Sequence, residues 1–166
     1  RQRQMCIRDR CTHTLLFENG GDILTPENRE KYKQLKIMDI TQWLKEVVLP
    51  RIKVIRPKNR ILLHPTCSCQ IMGLTPVLLD IARKCAREVI LPDNWGCCGA
   101  SGDRGFIFPE LSDSATRDER DEIGHESFDG CYSLARTCEI AMQDHIEQPY
   151  ESIVYLVDET IQDQGT

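Results

Sequence analysis

Short apolar runs and amphipathic helical segments alternate along residues 60–161, and this alternation restricts the fold more than any other feature. Residues 61–63 form a short apolar run that is typical of a buried strand, and a second run spans 88–91. Between them, apolar side chains recur at helical spacing from 74 to 85. The segment 60–92 therefore predicts a strand–helix–strand unit with two parallel strands.

The same alternation continues to the end of the chain. The pattern predicts a polar helix over 109–123, a third strand over 130–133 and a helix over 137–146. The last apolar run, 152–161, fits a strand or a helix, and its spacing favours the helix. The expected fold class is α/β, with a small parallel sheet and crossover helices.

Two helix starts precede this region. Thr25-Pro26 supplies a capping hydroxyl and a proline at the first helical position, which predicts a helix to about residue 37. Asp39 predicts the cap of a second helix over 40–49, whose apolar side chains share one face. Residues 1–10 contain four arginines without periodicity, so they are predicted to be a disordered or foreign segment.

The charge balance and hydropathy exclude some functions. The chain has 166 residues, with 21 Lys and Arg against 26 Asp and Glu, a net charge of −5. This balance argues against a nucleic-acid partner. No apolar run approaches the roughly 18 residues that span a bilayer, and the chain shows no export signal. The expected location is the cytoplasm, with peripheral association at the cytoplasmic membrane left open.

The chain contains nine cysteines. The number is uneven, and it is high for a protein kept in a reducing compartment. Cys67 follows the first predicted strand, Cys97 and Cys98 follow the second, and Cys138 opens the helix after the third. Because the carboxyl ends of parallel strands share one edge of a sheet, we expect these four sulfurs to converge there.

Four thiolates suit an iron–sulfur cluster or a structural zinc ion. Structural zinc usually takes cysteines in pairs that are separated by two to four residues. Here Cys97 and Cys98 are adjacent, and adjacent thiolates bind different irons of a cluster more readily than they bind one small ion. The spacing favours the cluster, and a zinc-stabilised structural or interaction domain is the alternative.

The glycine-rich loop after Cys98 does not match the dinucleotide-binding pattern of spaced glycines. Gly99, Gly102 and Gly105 are instead predicted to let backbone N–H groups approach the sulfur atoms of the cluster.

Several neighbouring residues receive structural interpretations. Cys85 lies on the apolar helix face and is predicted to be a core residue. Cys69 and Cys131 are interpreted as bystander thiols. His64 is interpreted as a structural histidine, with a hydrogen bond near the cluster as the alternative. The charged run 116–122 is predicted to be a solvated helix face.

Three motifs carry a family resemblance: His64-Pro65-Thr66-Cys67, the stretch 96–105 that begins Gly-Cys-Cys-Gly, and Arg136-Thr137-Cys138-Glu139. Together they resemble the second, C-terminal copy of the CCG cysteine-rich domain. More narrowly, they resemble the C-terminal iron–sulfur region of FAD-linked D-lactate or D-2-hydroxyacid dehydrogenases. The same domain type occurs in iron–sulfur subunits of glycolate oxidase and anaerobic glycerol-3-phosphate dehydrogenase, and in heterodisulfide reductase.

The resemblance covers residues 11 to about 160 and implies an oxidoreductase. An upstream FAD-binding domain would oxidise the hydroxyacid, and electrons would pass through iron–sulfur centres to a quinone or cytochrome. This chain would hold one of those centres, a 4Fe–4S cluster, and would lack the flavin and substrate sites. The alternative parent is a glycolate- or glycerol-3-phosphate-oxidising complex. The implied cluster ligands are Cys67, Cys97, Cys98 and Cys138.

The resemblance also predicts the domain organisation. Cys11 resembles the closing cysteine of a preceding cysteine-rich copy, so residues 11–59 are expected to hold the end of that copy and connecting helices. Residues 60–166 are expected to form the C-terminal CCG domain. Ala135 stands where the broader pattern has the first cysteine of Cys-x-x-Cys, and five-thiolate ligation is therefore not expected.

Overall fold

The computed structural model describes residues 4–7 and 23–162 of the chain. It divides the chain into two compact units, residues 1–50 and 51–166. Cys11 lies outside the described residues, so its predicted role as a ligand of a preceding copy stays a prediction. Within the described residues, no helix combines the length and apolar character that crossing a membrane requires.

The described part of the first unit contains two short α-helices and a two-stranded parallel sheet. The elements in chain order are β1 Gln4–Ile7, α1 Pro26–Lys33, β2 Lys36–Asp39 and α2 Ile40–Trp43. β1 pairs with β2 in parallel. The helical path continues beyond α2 through a π-helical turn, Leu44–Val48, and a short 3-10 turn, Leu49–Arg51.

Both predicted helix caps in this unit are confirmed. The Thr25 hydroxyl accepts a hydrogen bond from the backbone N–H of Asn28. Asp39 accepts one from the backbone N–H of Thr41 at 2.8 Å, and Gln42 accepts one from the backbone N–H of Asp39, which completes a capping box. The caps are local features, so the sequence alone identifies them.

The predicted extension of the first helix to residue 37 is wrong. The helix ends at Lys33, and Lys36–Asp39 becomes a strand because Gln4–Ile7 supplies a parallel partner for its backbone. The sequence interpretation placed Gln4–Ile7 in an irregular segment. The pairing of these two segments, about thirty residues apart in the chain, decides both assignments. The sequence of neither segment alone indicates this pairing.

The second unit is an α/β domain, as the alternating pattern predicts. Its elements in chain order are β3 Lys53–Val54, β4 Lys58–Leu63, α3 Cys67–Ile71, α4 Thr75–Cys85, β5 Ala86–Ile90, α5 Arg104–Ile107, α6 Pro109–Ile123, β6 Gly130–Ser133, α7 Arg136–Ile146, β7 Tyr150–Ser152, α8 Ile153–Thr160 and β8 Ile161–Gln162.

Four strands form one parallel sheet in the order β5-β4-β6-β7. Ile61 of β4 pairs with Val89 on one side and Gly130 on the other, so β4 is a central strand. The short strands β3 and β8 form a separate antiparallel pair. Because β3 belongs to this pair, the second unit begins before residue 60.

The strand order creates a switch point between β4 and β6. After β4 the chain turns one way to reach β5, and after β6 it turns the other way to reach β7. Right-handed crossovers in opposite directions place α4 and α7 on opposite faces of the sheet. Open α/β sheets bind their ligands at such a switch point, outside the carboxyl ends of the strands.

The apolar core extends up to this edge of the sheet. Leu62 of β4 and Met142 of α7 are fully buried. Cys98, Cys131 and Cys138 belong to the same buried cluster. These three cysteines are thus continuous with the core, and core packing holds them in place.

Candidate functional site

Four cysteines occupy the carboxyl end of the parallel sheet, as the sequence predicts. Cys67 is the first residue of α3 and follows the loop that leaves β4. Cys97 and Cys98 lie in the loop after β5, and Cys138 is the third residue of α7, after β6. We call these four residues the four-thiol site. Three separate strand-end loops supply it, and two of them flank the switch point.

Cys98 and Cys138 form the buried half of the site. Their Sγ atoms lie 2.8 Å apart, so one thiol donates a hydrogen bond to the other. The contact lowers the pKa of Cys98 and raises the pKa of Cys138. Cys138 is therefore the donor once Cys98 ionises. Both groups are free thiols.

Cys67 and Cys97 form the exposed half of the site. Partial burial raises the pKa of Cys67, and the negative charges of Cys97 and Cys98 raise it further. Cys67 and Cys97 also raise the pKa of Cys138, in addition to its contact with Cys98. The neighbouring thiols thus oppose ionisation of Cys67 and Cys138, and a bound cation would relieve this repulsion.

Four thiols are the donor type that an iron–sulfur cluster takes. Within residues 4–7 and 23–162, no three His, Cys, Asp or Glu side chains surround a position for a single metal ion. Two thiolates on a tetrahedral zinc lie roughly 3.8 Å apart, given Zn–S bonds of about 2.3 Å. The Cys98–Cys138 contact is shorter than this, so those two side chains must separate when any metal group binds.

The glycine-rich loop brings backbone N–H groups to two of the sulfurs. Gly99 donates a hydrogen bond from its backbone N–H to Cys97 Sγ at 3.4 Å. The backbone N–H of Ala100 donates to Cys98 and helps to lower the pKa of that thiol. Gly105 closes the loop through a backbone bond to the Ala100 carbonyl. These donors favour negative charge on the sulfurs, as expected at a cluster.

Gly99 and Gly102 both have positive φ, but they differ in the space around them. A Cβ atom on Gly99, at φ +73°, would lie 2.6 Å from the Leu111 carbonyl oxygen and 2.7 Å from Ser112 Cα. A Cβ atom on Gly102, at φ +77°, would meet nothing within 4 Å. Only Gly99 is therefore required both by backbone conformation and by close packing.

Gly99→Ala is expected to lower the free energy of unfolding by about 2–4 kcal/mol, because left-handed backbone strain adds to a clash with backbone atoms. Gly102→Ala carries the backbone strain alone and is expected to cost about 1–2 kcal/mol. Urea unfolding of both variants measures the difference. Equal losses in the two variants would contradict the close packing of Gly99.

The other described cysteines have environments that suit structural roles. Cys85 is fully buried on α4, and burial raises its pKa. Burial alone raises the pKa of Cys131 to about 12, so this thiol stays protonated. Cys69 is buried one turn into α3, and its backbone N–H donates to the Thr66 hydroxyl. These environments support the interpretation of all three as core or bystander thiols.

A buried hydrogen-bonded pair beside the site is a feature that the sequence interpretation missed. His64 Nδ1 lies 2.9 Å from Glu119 Oε2, and both side chains are almost fully buried. The prediction of a solvated helix face over 116–122 is wrong at Glu119 and at Thr116, which is also buried. Their spacing of three residues places both on the side of α6 that faces the protein.

Comparisons with known proteins leave the family open. No protein-family model matches the chain, and no curated protein matches it. The resemblance to the CCG cysteine-rich domain therefore rests on the three motifs and the placement of their cysteines.

Proposed function

We propose that the chain is an iron–sulfur electron-transfer module of a larger, FAD-linked D-lactate or D-2-hydroxyacid dehydrogenase. The observation that carries the proposal is the convergence of Cys67, Cys97, Cys98 and Cys138 at the switch point of a parallel sheet. Cys67 and Cys138, the first and last of these thiols, are 71 positions apart in the chain. Ordinary packing of scattered cysteines gives no reason for such convergence.

These four residues would hold the cluster, which when bound supplies one-electron transfer. Cys98 and Cys138 would anchor it from the buried side, next to the core. Cys67 and Cys97 would bind from the exposed side, where an electron partner can approach. The Gly99 and Ala100 N–H groups would stabilise the negative charge of the ligand sulfurs.

The electron partners proposed on the motif resemblance are an upstream FAD-binding domain as donor and a quinone or cytochrome as acceptor. The thiols and backbone donors of the site suit a redox group, and the motif resemblance places the substrate site elsewhere. Hydroxyacid oxidation is therefore assigned to the flavin domain of the parent protein.

A redox cycle of the anaerobically purified 166-residue chain tests the proposal. Dithionite is expected to bleach its visible absorbance, and a soluble quinone or cytochrome is expected to restore it. A protein that contains iron and sulfide but cannot be reduced and reoxidised would contradict an electron-transfer role. A parent protein without any flavin-binding segment would contradict the dehydrogenase assignment.

A further inference from the structure

The buried pair of His64 and Glu119 stands beside the four-thiol site and is not explained by it. His64 directly follows β4, so it lies at the switch point with Cys67 three residues further on. The side chains of His64 and Glu119 are 1% and 2% exposed. Burial of ionisable groups is costly, and such groups occur inside proteins where they are paired or bind a ligand.

Glu119 fixes the orientation of the imidazole ring. Its two carboxylate oxygens lie 2.9 Å and 3.2 Å from His64 Nδ1. Tyr150 packs edge-on against the ring, with the ring centroids 6.5 Å apart. A ring that is held at Nδ1 and packed at one edge has its second nitrogen in a fixed place.

That second nitrogen, Nε2, is buried and has no hydrogen-bond partner within the part of the chain that the structure describes. Buried polar atoms without partners are rare in folded proteins, and a missing ligand or ion is one of the explanations for them. His64 is also among the groups that lower the pKa of Cys98, which places the ring within electrostatic reach of the four-thiol site.

We propose that His64 carries a proton on each ring nitrogen when the site holds its cluster, so that Nδ1 donates to Glu119 and Nε2 donates a hydrogen bond to the Cys98 sulfur. The inference rests on the proposed function and assigns His64 as a positioning residue that sets the cluster's reduction potential. Hydrogen bonds to ligand sulfurs stabilise the more negative, reduced state and raise the potential. The contact also gives the buried Nε2 atom a partner.

The direct test is an electron paramagnetic resonance measurement on the reduced 166-residue chain, with histidine labelled by nitrogen-15. A weak nitrogen coupling, typical of a hydrogen-bonded ring and absent from His64→Gln, is expected. A strong coupling from an iron–nitrogen bond would overturn the donor role, and so would the absence of any coupling. The coupling itself is measured on the wild-type chain, and the variant serves only to assign it to His64.

The potential supplies a second readout. His64→Leu, which cannot donate, is expected to shift the midpoint potential downward, and His64→Gln, whose amide donates, is expected to restore most of the shift. His125→Gln, at an exposed histidine, is the matched control and is expected to leave the potential unchanged. Equal potentials for wild type and His64→Leu would overturn the inference.

These outcomes separate the two proposals. A wild-type chain without iron would refute the proposed function itself. An iron-loaded chain that lacks the nitrogen coupling would refute the role of His64 and leave the electron-transfer role in place.

Discussion

The Cys97→Ser/Cys98→Ser variant is expected to lose most of the iron and sulfide that the anaerobically purified wild-type chain binds. The two substitutions remove half of the thiols in the four-thiol site. A serine hydroxyl is a much poorer ligand than a thiolate for the iron of an iron–sulfur cluster. The measurement is iron and acid-labile sulfide per chain, together with visible absorbance. Circular dichroism checks that the variant retains its helices.

Cys85→Ala is the matched control for this variant. Cys85 is a buried thiol of the same domain, but it lies on α4 and contributes nothing to the four-thiol site. Its iron and sulfide content is expected to equal that of the wild type. Full metal content in the double serine variant, or an equal loss in Cys85→Ala, would contradict the assignment of the ligands.

Glu119→Ala is expected to lower the free energy of unfolding by about 3–5 kcal/mol, the combined cost of a buried nitrogen without its partner and of a cavity. The substitution leaves His64 buried without its partner at Nδ1, in addition to the orphaned Nε2 atom. It also leaves a cavity on the inner side of α6. Urea unfolding monitored by circular dichroism measures the loss.

Two further variants define what the Glu119 carboxylate contributes. Asp118→Ala, on the exposed side of the same helix, is expected to change the stability by less than about 0.5 kcal/mol. Glu119→Gln keeps an oxygen that accepts from Nδ1 and is expected to lose less than Glu119→Ala. A Glu119→Ala variant as stable as Asp118→Ala would show that the pair is not important for folding.

Most elements of the second unit could be predicted from the sequence because their signals are local. Pro109–Ile123 and Gly130–Ser133 form the predicted helix and strand with the predicted bounds. The pattern of the run at 152–161 fits a strand or a helix, and the favoured helix is confirmed at Ile153–Thr160. The strand Tyr150–Ser152 comes just before it. The Ser152 hydroxyl accepts from the backbone N–H of Val154 and caps that helix.

The placement of the four thiols could be predicted from one rule, that parallel strands end at a common edge. Cys67, Cys97 and Cys138 each follow a strand of the sheet, and no knowledge of side-chain contacts was needed to bring them together. The Cys98–Cys138 contact could not be predicted, because rotamers and loop conformation decide which sulfurs touch.

The pairing of His64 with Glu119 could not be predicted either. The two residues are 55 positions apart, and Glu119 lies in a run of charges that reads as a solvent-facing helix. Only the packing of α6 shows that this face is turned inward. A buried carboxylate with a histidine partner is a tertiary feature without a local sequence signal.

The content of iron, sulfide and zinc in the anaerobically purified 166-residue chain tests the central claim most directly. We expect a brown protein that contains iron and acid-labile sulfide, with visible absorbance that dithionite bleaches. A colourless protein with one zinc ion per chain would contradict the account and indicate a structural domain whose thiols bind zinc.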